Sequence, residues 1–226
     1  MHRSLSTSTT SRLTLVVIGT RALHGFERLV FGSTAEAVLR KASCAVLTIG
    51  PRVEESAFSF EPGKGAVLFA TDLHSSTTDA LCYAAGFATK MDMALHCVHV
   101  LPRGADQGSH KGAIPQIIAE GLKHLAHTLA GTSTPPVCTV AYGSEVSNAA
   151  VEYACEHNVK LVVLGVRRAS LLASHIPAHI AYRIITEAPC PVLTMAYPLE
   201  TGTRKSQAPL PIEGGRTAVV TVAQHD

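Results

Sequence analysis

The pattern of apolar and polar positions changes period several times along this chain. At residues 16–18 and again at 162–164, Val-Val-Ile and Val-Val-Leu are continuous apolar runs rather than alternating ones. Such runs predict strands covered on both faces, as in a parallel sheet flanked by helices. Between them the spacing becomes helical. Ala35, Val38, Leu39 and Ala42 mark one face, and Ser33 with Glu36 has the capping-box form that satisfies free N–H groups at a helix start. The spacing predicts a helix over residues 33–43.

The same unit occurs twice. Residues 13–51 can be laid over residues 159–197 without a gap, so that Gly19 falls on Gly165, Arg21 on Arg167, Ala35 on Ala181 and Cys44 on Cys190. Each copy reads as strand, irregular segment, helix, strand. Ahead of the second copy lies material with no counterpart ahead of the first. A strand is predicted at 66–70, then Thr71-Asp72 and a turn into a helix marked by Ala80, Leu81, Ala84, Ala85 and Ala88. A strand at 94–100 follows, then a helix outlined by Ile114, Ile117, Ile118, Leu122, Leu125 and Leu129, a strand at 137–141 and a helix at 146–157. This β-α-β-α-β-α-β-α-β order implies a doubly wound parallel five-stranded sheet with right-handed crossovers, and ligands in such sheets bind beyond the strand ends at the switch point. Thr71-Asp72 and Gly165 stand at those ends.

The expected organisation is an irregular start at 1–12, a partial strand–helix–strand copy at 13–50, a linker at 51–64 punctuated by Pro51, Pro62, Gly63 and Gly65, a complete domain at 65–197, and a mostly flexible tail at 198–226 in which 217–223 has the composition of a strand. In the partial copy the front half of the unit is missing from the sequence.

Composition narrows the function classes. The chain has 226 residues, 46% hydrophobic and 16% charged, with a formal net charge of +2. That balance gives no electrostatic footprint for nucleic acid, and no apolar run approaches the roughly 18 to 20 residues of a membrane span. The expected compartment is the cytoplasm. Six cysteines form no C-x-x-C pair and read as reduced core residues. His96, Cys97 and His99 lie close in sequence, but neighbouring strand residues point to opposite faces, whereas zinc needs about four converging ligands. No metal site is expected. No G-x-S-x-G elbow, Walker loop or dinucleotide fingerprint occurs, and no nucleophile–base pair stands out. No catalytic residue is nominated.

From residues 13 to 197 the chain resembles the universal stress protein family in its tandem form. Nucleotide-binding members carry a glycine, two residues, a second glycine, nine residues, then Gly-Ser or Gly-Thr. Gly19 and Gly32-Ser33 fit that spacing, with Ala22 at the second glycine. The resemblance implies the adenine-nucleotide-alpha-hydrolase-like α/β sheet, and ATP as the ligand. Gly19, Gly32, Ser33 and Thr34 would place backbone N–H groups and a helix N-terminus against phosphates. Asp72 corresponds to the family's acidic ribose contact, or reads simply as a turn residue; Gly165 reads as ligand contact or tight turn. In the second copy Arg168 and Ala178-His179, after Pro177, replace the second glycine and the Gly-Ser pair. Side chains then stand where bare backbone would meet phosphate, which implies a degenerate site.

The resemblance also implies that the last strand of each domain pairs across a dimer or pseudo-dimer interface, setting residues 45–49 beside 191–196 and favouring a homo-oligomer or association with another universal stress protein. The strand at 15–19 is expected to leave an open apolar edge. Two readings follow: a non-enzymatic stress-response module acting through dimerisation and protein contacts, with no required cofactor, and an adenine-nucleotide-binding regulator using the first copy's phosphate loop.

Overall fold

A computed structural model of the chain describes residues 13–19, 33–58, 61–74, 77–104, 113–130, 135–167, 177–197 and 216–221. In chain order the elements are β1 (Leu13–Gly19), α1 (Ser33–Lys41), β2 (Ala45–Ile49), a 3-10 turn (Glu55–Phe58), β3 (Ala66–Thr71), α2 (Thr78–Lys90), β4 (Ala94–Pro102), α3 (Ala113–Ala130), β5 (Val137–Gly143), α4 (Val146–Glu156), β6 (Val159–Arg167), α5 (Pro177–Glu187), β7 (Val192–Tyr197) and β8 (Arg216–Thr221).

The strands form one eight-stranded sheet in the order β5-β4-β3-β6-β7-β2-β1-β8. From β3 the chain steps outward to β4 and β5, then returns past β3 to β6 and β7. Right-handed crossovers place helices on opposite faces when the direction of travel reverses. Accordingly α2 and α3 cover one face, burying Ala80, Leu81, Ala84, Ala85, Ala88 and Ala126 against Val67, Phe69, Leu161 and Val163. Helices α1, α4 and α5 cover the other, burying Leu39, Ala149, Tyr153, Ala181, Ile184 and Ile185 against Val16, Ile18, Leu68 and Val162. The parallel strands in the middle are buried on both faces, which is why their sequences run apolar without alternation. The doubly wound α/β fold expected of the chain is therefore present.

Every pair in the sheet is parallel except β2 with β7, where Val46 faces Thr194, Leu47 faces Leu193 and Thr48 faces Val192. Residues 46, 47 and 48 are the repeat equivalents of 192, 193 and 194. The pairing is therefore self-complementary about Leu47 and Leu193, as in an isologous contact, but lies within one chain. The last-strand association expected with another chain is satisfied here internally: β2 and β7 each have a hydrogen-bonded strand on both sides.

The five strands of the second copy are extended directly by β2 and β1, in keeping with the expected placement of residues 45–49 beside 191–196. Several expectations change. The open edge expected at residues 15–19 is occupied: β8 pairs with β1 in parallel along its length. Ile117, one of the apolar residues that outline α3, is 70% exposed. The six cysteines have free thiols, but Cys155 is exposed rather than in the core. The capping box of Ser33 rests on a side chain outside the described residues; Glu36 instead pairs with Arg40 at 2.6 Å.

The seam carries one polar asymmetry. Thr194 and Thr48, repeat equivalents, are both buried. The Thr194 hydroxyl donates to the Val46 carbonyl at 3.4 Å, whereas the buried Thr48 hydroxyl has no partner among the described residues. A buried hydroxyl without a partner retains its desolvation penalty. At the N-terminal half of β4, His96 Nδ1 lies 3.0 Å from the Tyr153 hydroxyl, and the Tyr153 ring stacks on His157 at 3.8 Å. Burial first, and the charge of His157 second, hold the His96 pKa below its ordinary 6.5.

Two outcomes follow. Thr48→Val stabilises the fold by about 1 kcal/mol, read as a raised urea midpoint, and Thr194→Val gives no such gain. For His96 the unfolded chain binds the proton more tightly than the folded one, so its contribution is fully present above about pH 6.5 and is lost as pH falls toward the depressed pKa. The urea midpoint drops between pH 7.5 and 5.5, and His96→Gln reduces that drop.

Candidate functional site

The reversal between β3 and β6 opens a cleft at the C-terminal ends of the central strands, of about 350 Å³. Its wall is mostly apolar, with Val98 and Val100 from β4, Leu164 and Val166 from β6, and Ile180 and Ile184 from α5; Thr71, Asp72 and His99 are its polar side chains. This size and lining suit a small flat ligand held by apolar contact and oriented by a few polar groups.

The floor turns sharply after β3. Leu73 N–H donates to the Thr71 hydroxyl at 3.0 Å, and His74 N–H donates to Asp72 Oδ1 at 3.0 Å. These two side-chain turns hold Leu73 at φ +64°, a left-handed conformation uncommon for a residue with a Cβ. The Thr77 hydroxyl closes the turn by donating to the His74 carbonyl at 2.7 Å. Asp72 therefore acts as a turn residue and also reaches the cleft, where its exposed carboxylate can accept from hydroxyl groups.

His99 was not singled out for this site by sequence. It stands at the same register position as Thr71 on the neighbouring strand, and its Nδ1 lies 2.8 Å from the Thr71 carbonyl oxygen. A carbonyl only accepts, so Nδ1 carries a proton in this contact. The only available signal was its place at the end of a predicted strand.

The rim is fixed by charge. Arg183 of α5 donates to Glu145, just before α4, to Asn148 Oδ1 at 2.9 Å, and lies 3.5 Å from Glu187. The two helices that wall the cleft are thereby tied together. Chemically the site can bind and orient; its one hydroxyl among the described residues, on Thr71, already serves the Leu73 N–H and lies 3.3 Å from the Thr77 hydroxyl.

The six nucleotide residues expected from sequence divide into two groups. Asp72 and Gly165 meet in this cleft. Gly19 ends β1 beyond the seam, Ser33 and Thr34 open α1, and Gly32 lies outside the described residues. The groups do not form one site. Arg168 also lies outside the described residues, as do the side chains of Ala178 and His179. Among the described residues, no three His, Cys, Asp or Glu side chains converge on a metal position. No described helix is long and apolar enough to cross a membrane.

Comparison with known proteins places this arrangement. A model of the universal stress protein family matches residues 9–50 and 65–195. A universal stress protein from Archaeoglobus fulgidus aligns in structure at TM-score 0.61 with 21% identity, covering 81% of this chain and 62% of that one. A functionally unknown protein from Pseudomonas aeruginosa aligns at TM-score 0.56 with 15% identity, covering 80% of this chain and 62% of that one. The chain thus spans less than two thirds of the length of either structure. No curated protein matches it in sequence. With both repeat segments matched, and the sheet order and switch-point cleft built from those same residues, this chain belongs to the universal stress protein family.

Proposed function

We propose that the chain is a non-enzymatic stress-response module that works through protein contacts, with a partial copy at residues 13–50 and a complete domain at 65–197 whose cleft no longer cradles a nucleotide's phosphates. The start of α5 carries this reading. The described part of α5 opens with Pro177, Ala178 and His179, the repeat equivalents of Phe31, Gly32 and Ser33. Where the first copy has Gly32, the second has helical Ala178. Pro177 has no N–H to offer, and the position of Gly32 carries a residue with a Cβ. Contacts with a second copy or with another universal stress protein use surfaces other than the β2–β7 seam, which is already paired.

A second reading is favoured by Gly19. Among the described residues a Cβ placed there would meet nothing within 4 Å, so their packing does not require glycine at this strand end. Close approach of a ligand does supply such a requirement. In that reading Gly19, Gly32, Ser33 and Thr34 hold the phosphates of an adenine nucleotide such as ATP, and Asp72 and Gly165 belong to the separate cleft.

Calorimetric titration with Mg-ATP of the folded chain and of Gly32→Arg separates the two. The module reading predicts no heat of binding at millimolar nucleotide in either protein. Micromolar binding to the native chain overturns it, and abolition of that binding by Gly32→Arg assigns the nucleotide to the first copy.

A further inference from the structure

The two-fold relation across the β2–β7 seam makes a further comparison possible. It carries β2 onto β7 and β1 onto β6, and would carry the strand beyond β1 onto β3. That strand is β8. Along β1, Leu13 pairs with Arg216, Leu15 with Thr217, Val16 with Ala218, Val17 with Val219, Ile18 with Val220 and Gly19 with Thr221, with a shift between Leu13 and Leu15. Along β6, Val159 pairs with Ala66, Leu161 with Val67, Val162 with Leu68, Val163 with Phe69 and Leu164 with Ala70, with a shift between Ala66 and Val67. Each residue of β1 in these pairs is the repeat equivalent of its counterpart in β6. Arg216 to Val220 therefore stand, one for one, where Ala66 to Ala70 stand, and the register irregularity falls at the same place. Thr221, beside Gly19, matches the position of Thr71.

Direction and reach agree. Because β7 runs antiparallel to β2, and β2, β1 and β8 are mutually parallel, β7 ends at the same edge of the sheet where β8 begins. The distance across three strand spacings is about 14 Å. The 18 residues between Tyr197 and Arg216 can span about 60 Å when extended. No segment has to return along the length of the sheet. Residues 217–221 are Thr-Ala-Val-Val-Thr, rich in β-branched residues and preceded by Gly214-Gly215. Ala218 and Val220 occupy the register positions beside Val16 and Ile18, which are buried.

We propose that the edge of β1 is a strand-accepting surface and that β8 is its complementing strand: residues 216–221 take beside β1, in parallel register, the place that β3 takes beside β6. The edge accepts a parallel, β-branched segment, and docking of β8 closes it against other chains.

Amide hydrogen exchange on the full chain tests this, with β3 and β6 as internal reference. The amides of residues 15–19 and 217–221 are expected to be protected together, to a degree independent of protein concentration. Successive N–H groups of a strand point to opposite sides, so of Val219→Pro and Val220→Pro, one removes a ladder bond to β1. That variant is expected to speed exchange in residues 15–19 at least tenfold and leave β3 and β6 unchanged. Exchange of residues 217–221 at the rate of an unstructured chain overturns the proposal, as does unchanged protection of β1 in both variants. Protection of 217–221 that falls on dilution also overturns it, by placing the strand on a second copy.

Discussion

The antiparallel pairing of β2 with β7 is the constraint on which the rest of the structure depends. Parallel sheets of this kind normally end at their last strand, leaving unpaired N–H and C=O groups that must be covered or paired. Here the last strands of the two repeats pair with each other about Leu47 and Leu193. One sheet results, in which β2 and β7 are interior strands. The relation also fixes which face each helix takes. A two-fold axis perpendicular to the sheet keeps faces unchanged, so α1 and α5 fall on the same side, and their equivalent residues Leu39 and Ile185 share one core.

The seam also separates the chemistry. Doubly wound sheets bind ligands at strand C-termini, and reversal of direction at β2–β7 sends the C-terminal ends of the two repeats to opposite edges of the sheet. Gly19 and the start of α1 therefore lie apart from the cleft of Thr71, Asp72, His99 and Gly165. The base-side and phosphate-side features that the family's motif joins in one site are distributed here over two places. That division, together with Pro177 and Ala178 at the opening of α5, is the physical ground for the proposed reading as a contact module.

Much of this was legible in the sequence, and the repeat is the reason. A gapless correspondence between Gly19 and Gly165, and between Cys44 and Cys190, already implies a shared strand–helix–strand unit, and the apolar runs at 16–18 and 162–164 imply burial on both faces. The pairing of residues 45–49 with 191–196 came from the resemblance, since periodicity cannot choose between partners for two short apolar strands. What stayed hidden depends on tertiary context. Residues 217–223 have the composition of a strand, but nothing in the sequence names β1 as the partner. Ile117 follows the helical spacing of its neighbours, yet the sheet beneath α3 does not reach it. Cys97 and Cys138, read as separate core thiols, stand side by side on β4 and β5, where burial and the hydrogen bond with Cys138 push the Cys97 thiol up and the same bond draws Cys138 down. The place of His99 in the cleft became visible only when β3 and β4 were in register.

The most direct test of the account is an isotope-filtered nuclear Overhauser measurement between Leu47 and Leu193, made on uniformly labelled protein and on a mixture of differently labelled chains. The account predicts cross-strand contacts in the uniform sample and none between chains in the mixture. Contacts seen only between chains, or no contact between these residues in a folded sample, would contradict the internal seam from which the sheet, the helix faces and the separation of the two sites all follow.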